Sequence, residues 1–159
     1  RHLDGSRSRR KWRGRVPVKL WDVNIWVYAF RADSPLHAPA RTALGESFEK
    51  GESFLFCPSV ASSFLRLVTN PRIFAEPSPD AEAWSFIDYL EAHPAAFFAE
   101  ADEMTFGIFK HLCLLSHATG NAVPDAFLAA LALRHDATLV TADAGMRRYQ
   151  GLELQLLGA

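Results

Sequence analysis

The sequence predicts a single α/β domain built on a mostly parallel sheet of four or five strands. Short segments rich in apolar, β-branched and aromatic residues alternate with longer segments in which apolar residues recur at helical spacing. This alternation is typical of a parallel sheet covered by helices on both faces, a three-layer α/β/α arrangement. The chain has 159 residues, of which 49% are hydrophobic, and this suits one packed domain better than two.

The first half of the chain predicts two strands and three helices. An apolar segment ends at Trp21 and is followed at once by Asp22, which can cap the next helix. Pro58 lies where the third helix begins, because proline is tolerated in the first turn of a helix. The predicted elements, in order, are a strand at 16–21, helices at 24–30 and 36–50, a strand at 53–57 and a helix at 58–68.

The second half continues the alternation and ends with two further strands. Gly120 and Asn121 follow a long apolar helix and predict where it stops, and Pro124 opens a helix rich in Ala and Leu. The predicted elements, in order, are a helix at 78–92, a strand at 95–99, helices at 104–118 and 124–135, a strand at 137–141 and a fifth strand at 152–157.

Positive charge is concentrated at the N-terminus. Residues 1–20 hold eight of the seventeen Lys and Arg and one acid, although the whole chain has a formal net charge of −1. Residues 1–15 show no apolar period, so we treat them as a basic arm and residues 16–159 as the folded domain. Two explanations of the arm stay open. It binds nucleic acid, or it is a cloning remnant or upstream read-through.

The sequence indicates a cytoplasmic protein with no membrane partner. No run of about eighteen apolar residues is present, and no apolar signal core stands near the N-terminus. Cys57 and Cys113 are isolated in apolar surroundings, which fits buried thiols in a reducing compartment better than a disulfide or a zinc site.

Three separated aspartates are the candidate functional residues. Asp22 and Asp143 follow the ends of predicted strands, and Asp125 lies at the start of a predicted helix. The carboxyl ends of parallel strands share one edge of a sheet, where sites of α/β proteins form. Carboxylates in such apolar surroundings are costly without a cation, and their oxygens suit Mg²⁺ or Mn²⁺. Ordinary helix capping is the alternative for any one of them.

Five segments together resemble a known family, the PIN domains of the VapC toxin type. They occur in the family's order and cover nearly the whole predicted domain. The segments are LWDVNIWVYA (20–29), FLRLVTNPR (64–72), GNAVPDAFLAALA (120–132), TLVTAD (138–143) and RYQGL (148–152).

The resemblance implies a PIN-like fold and a magnesium-dependent ribonuclease, with Mn²⁺ as a second possible ion. It also implies that the protein is the toxin of a toxin–antitoxin pair, with an RNA substrate, a cognate antitoxin and commonly a homodimer. Asp22, Asp125 and Asp143 fall on the family's metal-binding acids. The expected reaction is hydrolysis of a phosphodiester bond by a water that the metal activates.

One position departs from the family. Many members carry Glu three residues before the Arg of an Arg-x-x-Thr stretch, and here that residue is Ser63, before Arg66. A hydroxyl is a poorer metal ligand than a carboxylate, so we expect a loosely held metal. A catalytically weak binding module therefore stays open as an alternative. So does a nuclease with another role in RNA or DNA processing.

The remaining candidates have supporting roles. Asn24 and Thr141 are placed to orient a carboxylate or a bound water, although Asn24 fits a helix cap equally well. Arg66 and Arg72 are candidates for contacts to RNA phosphates. A structural ion pair is the alternative for Arg66.

Overall fold

The central element of the protein is a five-stranded sheet in the order β3-β2-β1-β4-β5, in which every pairing is parallel. A computed structural model describes residues 16–158, so the basic arm predicted at residues 1–15 lies outside the described residues. The observed sheet confirms the predicted α/β class, including the fifth strand. The strands are β1 (Val18–Trp21), β2 (Ser53–Phe56), β3 (Ala96–Phe98), β4 (Thr138–Thr141) and β5 (Leu154–Leu156).

Six helices connect the strands, and each lies within a few residues of its predicted position. They are α1 (Val23–Phe30), α2 (His37–Glu49), α3 (Pro58–Val68), α4 (Asp80–Glu91), α5 (Glu103–Ser116) and α6 (Ala122–Arg134). A short 3-10 helix, Ala144–Arg148, follows β4.

Helices α6 and α4 each begin two residues from the predicted position, as do strands β1 and β5. Helix α6 begins at Ala122, two residues before Pro124, the predicted start. Proline is tolerated there because the first N–H groups of a helix have no partner within the helix. Asp125 is therefore in the first turn of α6. Helix α4 begins two residues later than predicted, because Pro79 at its N-cap is extended.

The helices form two groups. Helix α1 packs on α2 and α3, and α3 packs on α4, whereas α5 packs on α6. After β3 the chain returns across the sheet to β4. Since crossovers between parallel strands are right-handed, this reversal places the two groups on opposite faces of the sheet. The strand order reverses between β1 and β4, and this is the point where open α/β sheets form sites.

An aromatic cluster holds α1 and α3 against the sheet. Trp26 of α1 and Phe64 of α3 are fully buried, with ring centroids 5.9 Å apart, and Phe56 at the end of β2 lies 5.8 Å from Trp26. These contacts establish the positions of the two helices that border the carboxyl ends of β1 and β2. Cys57 is buried and Cys113 is half-buried, and neither forms a disulfide.

Within residues 16–158, no helix is both long enough and apolar enough to span a bilayer.

Candidate metal centre

Asp22 lies at the carboxyl end of β1, beside the end of β4. Its backbone N–H donates to the carbonyl of Val140 at 2.9 Å and so extends the pairing of the two strands by one residue. Asp22 is also the N-cap residue of α1, yet its side chain makes no capping hydrogen bond. The residue as a whole is only 6% exposed. Capping therefore does not explain this buried aspartate.

Two neutral side chains hold the Asp22 carboxylate in place. The Thr141 hydroxyl donates to Asp22 Oδ2 at 2.7 Å, and the Asn24 amide donates to the same oxygen at 3.3 Å. Asn24 also donates to Thr141 Oγ1 at 3.2 Å and accepts from the N–H of Ala142 at 3.2 Å. Asn24 is thus tied to β4 and to Asp22, and its amide does not cap α1.

Asp125 projects from the first turn of α6 and forms an ion pair. Arg148, at the end of the 3-10 helix, donates from Nη2 to Asp125 Oδ2 at 3.1 Å. Both side chains are partly exposed, at 44% for Arg148 and 35% for Asp125. Such pairs contribute little to stability, because water screens them and ordering two side chains costs entropy.

Asp143 is exposed and begins the 3-10 helix. Its Oδ1 accepts a hydrogen bond of 2.7 Å from the N–H of Gly145. Asp143 therefore caps the 3-10 helix, as the capping alternative expects. Its own N–H donates to Thr141 Oγ1 at 3.0 Å. Thr141 therefore connects the backbone of Asp143 to the carboxylate of Asp22.

The three carboxylates lie near enough to affect one another electrostatically. Burial raises the pKa of Asp22 above its ordinary value, and the charges of Asp125 and Asp143 raise this pKa further, although the Thr141 hydrogen bond opposes the change. Burial and the charge of Asp143 likewise raise the pKa of Asp125, and Arg148 lowers it. Adding positive charge here would relieve this repulsion.

A cleft of about 90 Å³ opens between α3 and α6, and it brings Ser63 to the acidic residues. Asp22 and Asp125 line this cleft together with Ser63 and Ser59 of α3. The two serines are four residues apart on one helix and so share a face. Ser63, the position at which many family members carry Glu, therefore faces the same space as the two aspartates.

Arg66 is on the next turn of α3 after Ser63. Residues three apart are neighbours on a helix, so Arg66 continues the stripe formed by the two serines. Its side chain is exposed and makes no ion pair with a carboxylate among residues 16–158. Within that part of the chain, a structural ion pair therefore does not account for Arg66. Arg72 is also exposed, beyond the end of α3, and its N–H donates to Asn70.

The donor atoms at this edge of the sheet suit a hard divalent ion. They are carboxylate and hydroxyl oxygens, the ligand class that Mg²⁺ and Mn²⁺ prefer. Asp22 is buried, and the side chains hydrogen bonded to it are neutral. Among residues 16–158, no three His, Cys, Asp or Glu side chains form a group that could hold an ion unaided. Asp125 is hydrogen bonded to the Arg148 side chain, and Asp143 is hydrogen bonded to the Gly145 N–H. The residues thus fit a divalent ion in their chemistry.

Two residues of this region were not among the sequence-derived candidates. Ser59 precedes Ser63 by one helical turn, so helical spacing alone could have identified it. Arg148 belongs to the RYQGL segment but carries no local signal for Asp125, because the two are 23 residues apart and meet only through the fold.

Comparison with known proteins agrees with this architecture. The PIN domain family matches residues 19–152. The ribonuclease VapC43 of Mycobacterium tuberculosis H37Rv is 40% identical over 131 residues, which span 82% of this chain and 89% of the relative. The ribonuclease VapC31 of the same organism is 35% identical over 130 residues, or 82% of this chain and 92% of the relative.

Solved structures show the same fold at low sequence identity. VapBC2 from Rickettsia felis, crystallised on a DNA fragment from its promoter, matches with a TM-score of 0.64 and 18% identity, over 88% of this chain and 98% of the matched chain. VapC20 of Mycobacterium tuberculosis, described as a toxin that cleaves the sarcin-ricin loop, matches with a TM-score of 0.59 and 12% identity, over 87% and 98%. By its sequence, its parallel sheet and these matches, the chain belongs to the PIN domain family and is of the VapC type.

Proposed function

We propose that the chain is a divalent-metal-dependent endoribonuclease, with Mg²⁺ as its working ion, and that it acts as the toxin of a type II toxin–antitoxin pair. The observation that carries this proposal is the Asp22 carboxylate. It is buried beside Asp125 and Asp143, and the side chains that hold it are neutral. The ribonuclease names of the VapC relatives support the same activity.

The chain's own residues supply an anionic site. Thr141 and Asn24 orient Asp22, Asp125 faces it across the cleft, and Asp143 adds a third carboxylate. A divalent ion held there would supply Lewis acidity toward a phosphate of the RNA and would lower the pKa of a bound water. These three aspartates would hold the ion, Asp143 directly or through water.

Two exposed arginines are the proposed RNA contacts. Arg66 follows the serine stripe on α3, and Arg72 lies in the turn after that helix. Guanidinium groups bind phosphate oxygens through two parallel hydrogen bonds, so both residues suit the backbone of single-stranded RNA.

A cognate antitoxin and a second copy of the chain are the proposed protein partners, and the cytoplasm is the proposed location. Support comes from the VapBC complexes of Rickettsia felis and of nontypeable Haemophilus influenzae, which share the fold.

Helix α5 also exposes four large apolar side chains, a surface of the kind that partner proteins cover. They are Met104, Phe106, Leu114 and Leu115, each more than 60% exposed.

Incubation with separate nucleic acids tests the proposed activity. The protein is mixed with tRNA, mRNA or single-stranded DNA in Mg²⁺, and each reaction is repeated with EDTA. We expect one of the RNAs to be cut in Mg²⁺ only. Preferential cutting of DNA would contradict the ribonuclease proposal and favour another nuclease role.

A catalytically weak binding module is the second candidate. Ser63 favours it, because a hydroxyl faces the cleft where many family members place a carboxylate. Calorimetric titration with Mn²⁺ separates the two functions. Saturable binding below millimolar metal supports the nuclease, and no binding up to millimolar metal supports the module.

A further inference from the structure

We propose that Arg148 competes with the divalent metal for Asp125 and that, once it has left this carboxylate, it binds a phosphate of the RNA. This inference rests on the proposed function. It adds to that function a residue, Arg148, that changes its partner from Asp125 to an RNA phosphate when the metal binds.

Within residues 16–158, Arg148 is the cationic side chain that is hydrogen bonded to one of the three aspartates. Of the three carboxylates, Asp22 is held by neutral side chains and Asp143 by a backbone N–H, whereas Asp125 accepts from the Arg148 guanidinium. Arg148 ends the 3-10 helix that Asp143 begins. The six residues 143–148 therefore carry both the competing cation and one of the acids.

The contact between Arg148 and Asp125 has the features of an exchangeable pair. It consists of one hydrogen bond of 3.1 Å between partly exposed groups. The pair between Arg134 and Asp102 is different, because Nε and Nη2 together make three contacts of 2.6–3.0 Å with the two carboxylate oxygens. Such fork-like pairs are the stronger ones, so Arg148 is held far less firmly than Arg134.

Residues other than Arg148 anchor the backbone of this segment. Met146 and Tyr149 are buried on either side of Arg148, and the Tyr149 hydroxyl donates to the carbonyl of Ala122 at 3.3 Å. The guanidinium lies 5.2 Å from the Tyr149 ring and at the edge of an open groove of about 660 Å³. The backbone is thus anchored while the side chain has space to change its partner.

Electrostatics give the direction of the exchange. A divalent ion among the three carboxylates would repel a guanidinium at contact distance and would offset two of the three negative charges that attract it. The released guanidinium remains beside the site, where the RNA backbone must pass. Arginine is the residue best suited to bind phosphate oxygens, so a phosphate replaces Asp125 as its partner.

Two matched variants test the exchange. Arg148→Met keeps most of the side-chain length but cannot donate a hydrogen bond. Arg147→Met removes the same charge from the neighbouring position of the 3-10 helix, where the exposed side chain makes no hydrogen bond or ion pair with Asp125. Mn²⁺ affinity is measured by calorimetry on each full-length protein without RNA, at constant ionic strength. Binding of a fluorescent single-stranded RNA is measured by anisotropy, in EDTA and in Ca²⁺.

We expect Arg148→Met to bind Mn²⁺ roughly threefold to tenfold more tightly than Arg147→Met, because a competing cation has been removed. We also expect it to bind RNA more weakly than Arg147→Met in Ca²⁺, with a smaller difference in EDTA. If the parent binds Mn²⁺ and the two variants match in both measurements, the exchange is overturned and the proposed nuclease stands. If the parent binds no Mn²⁺ at millimolar concentration, the proposed function fails and the exchange fails with it.

Discussion

The hydroxyl of Thr141 donates a hydrogen bond of 2.7 Å to the carboxylate of Asp22, joining residues that are 119 positions apart in the chain. The contact joins the carboxyl ends of the neighbouring strands β4 and β1, where the strand order of the sheet reverses. It accounts for how a buried carboxylate keeps one orientation in apolar surroundings.

Replacing Asp22 with Asn should reduce RNA cleavage to below about one hundredth of the parent rate, since the central carboxylate ligand is lost. The fold should remain, because Asn has the same shape and still accepts from Thr141. Cleavage of labelled RNA in Mg²⁺ measures the effect, and Asp88→Asn on the exposed face of α4 is the control. Cleavage at the parent rate would refute the proposed mechanism.

Replacing Thr141 with Val should weaken metal binding and also lower the free energy of unfolding, by roughly 1–3 kcal/mol, because a buried hydrogen bond to a carboxylate is lost. Thr69→Val removes a hydroxyl that donates to the Leu65 carbonyl at 2.7 Å, away from the acidic residues. Urea unfolding and Mn²⁺ calorimetry on both variants separate the two effects. Equal metal affinities for the two variants would mean that Thr141 does not position Asp22.

Replacing Ser63 with Glu should tighten Mn²⁺ binding by about tenfold, equivalent to about 1.4 kcal/mol, because it adds a carboxylate facing Asp22 and Asp125. Ser62→Glu is the matched control, since Ser62 is exposed and does not line the cleft. Calorimetry measures both affinities. A gain shared by both variants would reflect general electrostatic attraction and would contradict a specific role for position 63.

The pH dependence of stability should reveal the buried charge of Asp22. Its pKa is higher in the folded than in the unfolded chain, so the folded state binds protons more tightly. The free energy of unfolding of the metal-free protein therefore falls as pH rises from the unfolded pKa to the folded pKa, and it stays lower above that range.

Asp22→Asn removes this contribution. The free energy of unfolding of the variant should therefore rise relative to that of the parent as pH increases. Urea unfolding in EDTA from pH 3.5 to 7 measures the difference between the two proteins. In this difference, the titration of unaltered groups such as Asp102 cancels to first order. If the difference in unfolding free energy between the two proteins is constant across this range, Asp22 has the same pKa in the folded and the unfolded chain.

The sequence predicted the fold class and the positions of all five strands and six helices. It could do so because hydrophobic periodicity, proline positions and helix-stop residues are properties of short segments. Errors at the ends of elements arose where local signals were ambiguous, as at Pro124, which is tolerated anywhere in the first turn of a helix.

The candidate acids were also predictable, because the carboxyl ends of parallel strands share one edge of a sheet. Asp22 and Asp143 could be assigned to that edge without coordinates. The partner of each carboxylate could not be assigned. Asp143 caps its own turn, Asp125 pairs with Arg148, and Asp22 is held by Thr141 and Asn24.

By itself, therefore, the sequence determined the order of strands and helices, the family resemblance and the three candidate aspartates. Only the tertiary structure decided that Arg148 reaches Asp125 and that Ser59 and Ser63 face the same cleft as Asp22. The physical reason is that these contacts join side chains from separate elements. Their distances depend on how the crossover helices pack on the sheet and on which rotamers that packing allows, and no local stretch of sequence encodes either.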